Sequence, residues 1–449
     1  MRPSAVRLVA LALAFGLVGA ACRDGGSGGR AEEAATSSTA STDTTASTTT
    51  TLDPSSTTVT SGPTSTSGPA ATTGAPGSTA TTRRVVPRAT TTTRATTTST
   101  GVATTLPAGD RCSVGPQTPP TARLDANNAV ALAFAPDGRL FFAERSGTVR
   151  VFQNGAVKEF ARVPTVTTEA GGGYSERGLL GLPIGPTFAA DRFVYAFVSH
   201  PDRQHQDIVR WTDCAGTGGA YTTLVRLPAG NTCCHKGGRL EFGPDGKLYA
   251  TVGDEHTPAA AQNTGDPRGK VLRYNPDGSV PADNPFGPGN PVWAYGFRNP
   301  FGLAISATGQ VAVTSNGPSG DAGSPRTGYD VVFDNVRPKA GHQWPYCYGY
   351  SHRMPTRLEP GCGAGQIEPS WSSEATTTVP TGAAFVNDAG PAGMAGRLVF
   401  CNYVGGMLIL DRGTPHATVT KGPTECQLDV VQGPDNAVYF SDPEHIYRR

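Results

Sequence analysis

Two short segments of this 449-residue chain place groups able to handle protons or charge directly before apolar, strand-like runs. The first is His235-Lys236-Gly237-Gly238-Arg239-Leu240, leading into FGPDGKLYATVGD. The second is Trp293-Ala294-Tyr295-Gly296-Phe297-Arg298-Asn299-Pro300-Phe301-Gly302-Leu303-Ala304. An imidazole with an unperturbed pKa near neutrality suits general-base work. A guanidinium suits stabilisation of developing negative charge. Either segment also has a plain structural reading, His235 as a solvated loop residue and Arg298 as a tie between neighbouring elements. Trp344 reads as core. His200, His205, His256, His342, His352, His416 and His445 show no spacing typical of metal ligands.

The elements that must position these groups form a repeat. An apolar strand, a Pro-Asp-Gly-like turn and an alternating strand recur as LAFAPDGRLFFAER (132–145) and LEFGPDGKLYATVGD (240–254). Looser copies are LPIGPTFAADRFVYAFVSH (182–200), LAISATGQVAVTSN (303–316) and LDVVQGPDNAVYFSD (428–442). Asp-Gly turns favour hairpins because Gly accepts positive φ and Asp bonds its own backbone. LVFCNYVGGMLIL (398–410) fills the double gap before the last copy, which gives six units. With no helical period over 109–449, the expected fold is all-β, a six-bladed β-propeller of four-stranded antiparallel blades. In such a fold the turns before blade strands line one mouth of the central channel.

The N-terminal region reads differently. Basic residues Arg2 and Arg7 precede an apolar run from Leu8 to Ala21, too short to cross a core of ~30 Å as a helix. Val18-Gly19-Ala20-Ala21-Cys22 is similar to the lipobox of bacterial lipoproteins, departing from it at Gly19. The expectation is a lipoprotein signal peptide over 1–21, lipidation of Cys22 and anchoring to the outer face of the cell membrane. Simple cleavage and secretion is the other outcome of such a signal. Residues 22–108 are rich in Thr, Ser and Pro and lack the apolar content to offset chain entropy. They read as a disordered linker with a root-mean-square reach of roughly 50 Å. Acylation of Cys22 leaves eight of the nine cysteines, an even number suited to an oxidising compartment. The expected bridges are Cys347 with Cys362 and Cys401 with Cys426, while Cys233 and Cys234 are expected to pair outward because a bridge between neighbours strains the backbone. A formal net charge of +1 with interspersed signs gives no basic stripe for nucleic acid.

Beyond the repeat, ERGLLGLPI (176–184), GKVLRYNPDGSVPADNPF (269–286), NGPSGD (316–321) and RPKAGHQWP (337–345) are similar to segments of the glucose/sorbosone dehydrogenase family. These are soluble sugar dehydrogenases that use pyrroloquinoline quinone (PQQ) on a six-bladed propeller. The resemblance implies oxidation of an aldose at C1 to the lactone, with a sugar as substrate, a separate electron acceptor, and a monomeric protein. It implies that His235 is the general base and that Arg298 and Asn299 lie beside the quinone. Glu176 falls at a cofactor-binding position, and the carbonyls of Gly317 and Pro318 fall at those that hold Ca²⁺. The chain departs from the pattern where the family holds the PQQ carboxylates. Cys426-Gln427-Leu428 replaces an Arg-x-Arg before Asp429-Val430, the family's late Lys falls near Asn387, and Glu176 replaces a Gln. Each lost charged hydrogen bond is worth about 1.5–3 kcal/mol. Arg177, Lys236 and Arg397 are the candidates to compensate. The alternatives are a non-catalytic cell-surface propeller that binds a glycan or protein partner, and a calcium-dependent lactonase on the same scaffold.

Overall fold

A computed structural model describes residues 111–363, 365–411 and 416–449. Cys22, the signal segment and the Thr-rich linker lie outside these residues. Asp-Gly turns set the local structure first. At Pro244-Asp245-Gly246 the chain reverses because Gly246 takes φ +70°, Asp245 Oδ1 accepts the Lys247 N–H at 3.0 Å, and Gly243 N–H donates to Lys247 O at 2.9 Å. The flanking runs then pair as antiparallel strands, Phe242 opposite Leu248 and Leu240 opposite Ala250.

Six four-stranded antiparallel sheets result, one per blade. Their inner strands are Ala129–Phe134, Leu179–Gly181, Gly237–Phe242, Asn299–Ile305, Pro380–Phe385 and Val430–Gln432. In blade 2 a four-residue helix, Phe188–Asp191, occupies the turn between first and second strands. In blade 5 LVFCNYVGGMLIL supplies the second and third strands (Leu398–Asn402 and Leu408–Leu410), and the inner strand comes from the unremarkable PTGAAF.

Alternation sends apolar side chains to both faces of every sheet, so each blade packs on two neighbours. The core is a ring of six separate apolar clusters, one at each blade–blade interface. The first joins Phe141, Val149, Phe160, Val198 and Trp211 of blades 1 and 2. The last joins Leu132, Phe142, Tyr439 and Ile446 of blades 1 and 6. Full burial of one such side chain is worth about 1.5–3 kcal/mol. The ring closes through Leu124–Asp125, which forms the outer strand of blade 6, with Leu124 opposite Ile446. Ser441 Oγ–H adds a bond to Ala129 O at 2.7 Å, tying blade 6 to the first inner strand.

Four disulfides are present: Cys112–Cys214, Cys233–Cys234, Cys347–Cys362 and Cys401–Cys426. Cys233 and Cys234 therefore bond each other, against expectation. The segment Cys112 lies on runs beside Ala215, whose N–H donates to Cys112 O at 3.2 Å. Cys112 thus takes Cys214, and no other described cysteine is left for the neighbouring pair.

Candidate active site

Strand register brings the start of each inner strand beside the end of the second strand of its blade. Gly237 lies opposite Val252, and Asn299 lies opposite Asn316. Residues just before inner strands and just after second strands therefore share one face of the ring. His235, Arg298, Glu176 and Gly317 all fall there, as do Asp254, Glu255, His256 and Asp321.

His235 is 3% exposed and adopts a left-handed backbone, φ +61°. Such a conformation costs about 1–3 kcal/mol at a non-glycine residue and persists only where the surroundings enforce it. Two features enforce it. The Cys233–Cys234 bridge precedes it, with Cys233 O accepting from Glu176 N–H at 2.9 Å and Ser175 Oγ–H at 3.0 Å. Behind it Gly253 passes so closely that a Cβ there would sit 2.0 Å from His235 O, so only glycine fits.

Asp254, fully buried, orients the imidazole. Its Oδ1 lies 2.6 Å from His235 Nδ1 and accepts the His256 N–H at 3.0 Å, and its Oδ2 accepts the Trp344 indole N–H at 2.8 Å. A carboxylate is acceptor-only, so Nδ1 carries the proton and Nε2 keeps its lone pair. Burial pushes Asp254 up to about 6, with Arg298 and the Trp344 bond pulling the other way. Burial, Arg298 and His256 hold His235 well below the ordinary imidazole range, so its ring is a neutral base at pH 7. The His256 ring stacks on it at 3.9 Å, and His256 Nε2 is buried without a hydrogen-bond partner.

Arg298 sits across from this pair. Its Nε donates to Asp321 Oδ2 at 2.8 Å, its Nη2 lies 2.6 Å from the same oxygen, and its guanidinium carbon is 5.6 Å from the Trp344 ring centroid. Nη2 is buried and out of hydrogen-bonding alignment with any acceptor among the described residues. Burial opposes ionisation of Asp321, but the Arg298 guanidinium outweighs it and holds the carboxyl down at about 2. The ligand atoms of His235, His256 and Asp321 all lie within 4.8 Å of one another, so the base and the guanidinium's partner belong to one cluster. Gly317 and Pro318 follow Asn316 on the segment leading to Asp321. With Arg298, Tyr329, Trp344 and Tyr348 they line a small open cleft. Trp344 is thus both wall and brace, with its ring on the cleft and its N–H on Asp254.

Asn299 follows Arg298 at the start of its inner strand and is tied into the neighbouring blades. Its Nδ2 donates to Glu176 Oε2 at 3.1 Å and Asn316 Oδ1 at 3.2 Å, and its Oδ1 accepts from Gly237 N–H at 3.2 Å. With Glu176 also accepting Lys236 N–H at 3.1 Å, these residues brace blades 2, 3 and 4 together. The anticipated compensating cations are engaged elsewhere. Lys236 is fully buried on Glu255 and Gly230 O, Arg177 pairs with Glu169, and Arg397 pairs with Asp411 at 2.8 Å. Asn387 is also misplaced as the cation's position. It lies in the hairpin between the first two strands of blade 5, bonded to Gln432, on the face opposite His235. On the site's own face, blade 5 presents Asn402, Tyr403, Val404, Gly405 and Gly406, and blade 6 is entered through Cys426 and Gln427, none of them cationic. Asp254, His256 and Asp321 were not singled out from sequence. The signal for Asp254 was its place at the end of a second strand, in VGD, where the register meets His235.

The sequence profile of the family described as Glucose / Sorbosone dehydrogenase matches residues 126–445. The chain is 30% identical over 261 residues to quinoprotein glucose dehydrogenase B of Acinetobacter calcoaceticus, across 50% of this chain and 51% of that one. It is 30% identical over 211 residues to an aldose sugar dehydrogenase of Escherichia coli, across 42% of this chain and 54% of that one. The chain thus spans about half the length of the curated relatives it matches. Among solved structures, a putative oxidoreductase (glucose dehydrogenase) of Thermus thermophilus superposes with a TM-score of 0.60 at 27% identity, over 73% of this chain and 99% of that one. The PQQ-bound aldose sugar dehydrogenase of Streptomyces coelicolor shares the fold, with a TM-score of 0.55 at 24% identity over 74% and 99% of the two chains.

Proposed function

The chain belongs to the glucose/sorbosone dehydrogenase family, and on that premise we propose that it oxidises an aldose at C1 to the lactone with PQQ and Ca²⁺. The observation that carries this reading is the Trp344–Asp254–His235 relay beside the Arg298–Asp321 pair. His235 Nε2 takes the proton of the C1 hydroxyl, and Asp254 stabilises the imidazolium that forms. PQQ, when bound, supplies the hydride acceptor.

The donor set fits the reacting edge of such a quinone. Arg298 retains unused N–H capacity for a developing oxyanion. The carbonyls of Gly317 and Pro318 are hard oxygen donors of the kind Ca²⁺ takes. Asp321, held ionised, keeps Arg298 in place, and Trp344 walls the cleft against water. Among the described residues, the inner strands of blades 5 and 6 offer the carboxylate end of the cofactor no cation on this face, and Lys421 stands out on the outer strand of blade 5, so we expect PQQ to bind through its reacting edge and more weakly than an ion-paired tricarboxylate. That same cation-poor rim favours a second reading, a non-catalytic propeller that binds a glycan or protein.

One experiment separates the two. Calcium-loaded protein is titrated with PQQ, and aldose-dependent dye reduction is then followed. The dehydrogenase predicts saturable binding and turnover that His235→Ala abolishes. No binding at micromolar PQQ would eliminate the enzyme reading. In the cell we place the protein outside the cytoplasmic membrane on a lipid at Cys22, a placement in keeping with four disulfides; metabolic labelling with a fatty-acid analogue, lost in Cys22→Ala, checks it.

A further inference from the structure

The hairpin between the second and third strands of blade 2 carries His200-Pro201-Asp202-Arg203-Gln204-His205, and we infer that His200, Asp202 and His205 form a binding site for a divalent transition metal. Asp202 Oδ1 is committed to the turn, accepting Gln204 N–H at 2.8 Å and His205 N–H at 3.2 Å. That fixes the carboxylate and presents Oδ2 outward. Oδ2 lies 3.0 Å from His200 Nδ1 and 2.7 Å from His205 Nδ1. The two rings stand nearly perpendicular, 84° apart, so both Nδ1 atoms face the carboxylate without the rings colliding.

His200 Nδ1 also faces the Asp202 N–H at 3.3 Å. The three ligand atoms lie within 4.8 Å of one another, and donors bound to one Zn²⁺ at about 2.0–2.1 Å with angles of 90–109° stand about 2.9–3.4 Å apart, so the three can close on one ion. Two imidazoles and one carboxylate select Zn²⁺, Cu²⁺ or Ni²⁺ over Ca²⁺ and Mg²⁺. The side chains are about one-third exposed, His200 34%, Asp202 34% and His205 36%, so the metal would keep solvent-filled positions. The hairpin stands on the same face as His235, and its Gln206 donates to Glu255 at 2.5 Å.

The test is calorimetric titration of the intact chain with Zn²⁺ in Ca²⁺-containing buffer, with Cu²⁺ electron paramagnetic resonance as a second readout. The expected result is one site of micromolar or tighter affinity, weakened at least tenfold in His200→Ala and in His205→Ala, with superhyperfine structure from two nitrogens. Binding that is unchanged in the double variant His200→Ala/His205→Ala, shown folded by circular dichroism, would overturn the assignment. So would the absence of any micromolar binding of Zn²⁺ or Cu²⁺ to the unaltered chain.

Discussion

Asp254→Asn removes the charge that sets which imidazole nitrogen carries the proton, while keeping the size of the side chain. The Asn amide would donate its N–H to His235 Nδ1 across the present 2.6 Å contact and leave the carbonyl for the Trp344 N–H. The proton then moves to Nε2, the atom that must accept the substrate's proton. The lost charge-assisted bond is worth about 1.5–3 kcal/mol. At 1.4 kcal/mol per decade this is about ten- to hundredfold in rate, a lower bound because the tautomer is also inverted. The fall should appear in kcat with KM nearly unchanged, in dye-reduction assays of protein loaded with PQQ and Ca²⁺. The pH profile carries a second signature. Asp254 is pushed up to about 6 and acts as its carboxylate, so activity rises as pH passes upward through about 6. That limb should vanish in the variant. Nitrogen-15 shifts of His235 report the tautomer without any cofactor, Nδ1–H in the parent and Nε2–H in Asp254→Asn. An unchanged tautomer, or turnover within threefold of the parent, would refute the relay.

Four other outcomes are expected. Tyr403→Lys with Gln427→Arg puts cations on the cation-poor rim of blades 5 and 6 and should tighten PQQ binding about tenfold or more per cation, measured by fluorescence titration; no change would place the cofactor's carboxylates elsewhere. Lys236→Met leaves Glu255 buried without its cation and should cost about 3–5 kcal/mol in denaturant unfolding, most of it recovered by adding Glu255→Leu; equal costs for the single and double variants would contradict this. Ser at both Cys112 and Cys214 opens a loop spanning a sequence separation of 102 and should cost about 2–5 kcal/mol, read as a lower Tm by calorimetry. Ser at both Cys233 and Cys234 should leave the global Tm within a few degrees but speed hydrogen exchange at Glu176 and His235, whose backbone the bridge holds.

Asp-Gly turns made two blades legible in the sequence outright, and the strand–turn–strand repeat around looser turns such as Thr308-Gly309 and Asp435-Asn436 carried the reading to others. The inner strand Pro380–Phe385 was not legible, since PTGAAF carries no turn signal and pairs only because Leu398–Asn402 offers it an edge. His235 and Arg298 could be found because each precedes an inner strand. Their partners Asp254 and Asp321 could not, because register between strands, not spacing along the chain, brings each to its cation or ring. Asn299 shows the converse. Its place beside Arg298 was legible, but the bonds of its amide to Glu176, Asn316 and Gly237 are visible only once three blades are in place. The rule against bridges between adjacent cysteines failed at Cys233–Cys234 because Cys112 had been taken by Cys214.

That last pairing also decides how the ring bears load. Tension arriving from the N-terminal side reaches Cys112 first and passes through sulfur into His205–Cys214, a strand flanked on both sides within blade 2. Leu124–Asp125, the two-residue clasp that shuts the ring, lies downstream and stays slack. That short seam is thereby shielded from pulling for as long as the covalent detour holds, and reduction of the bridge would expose it.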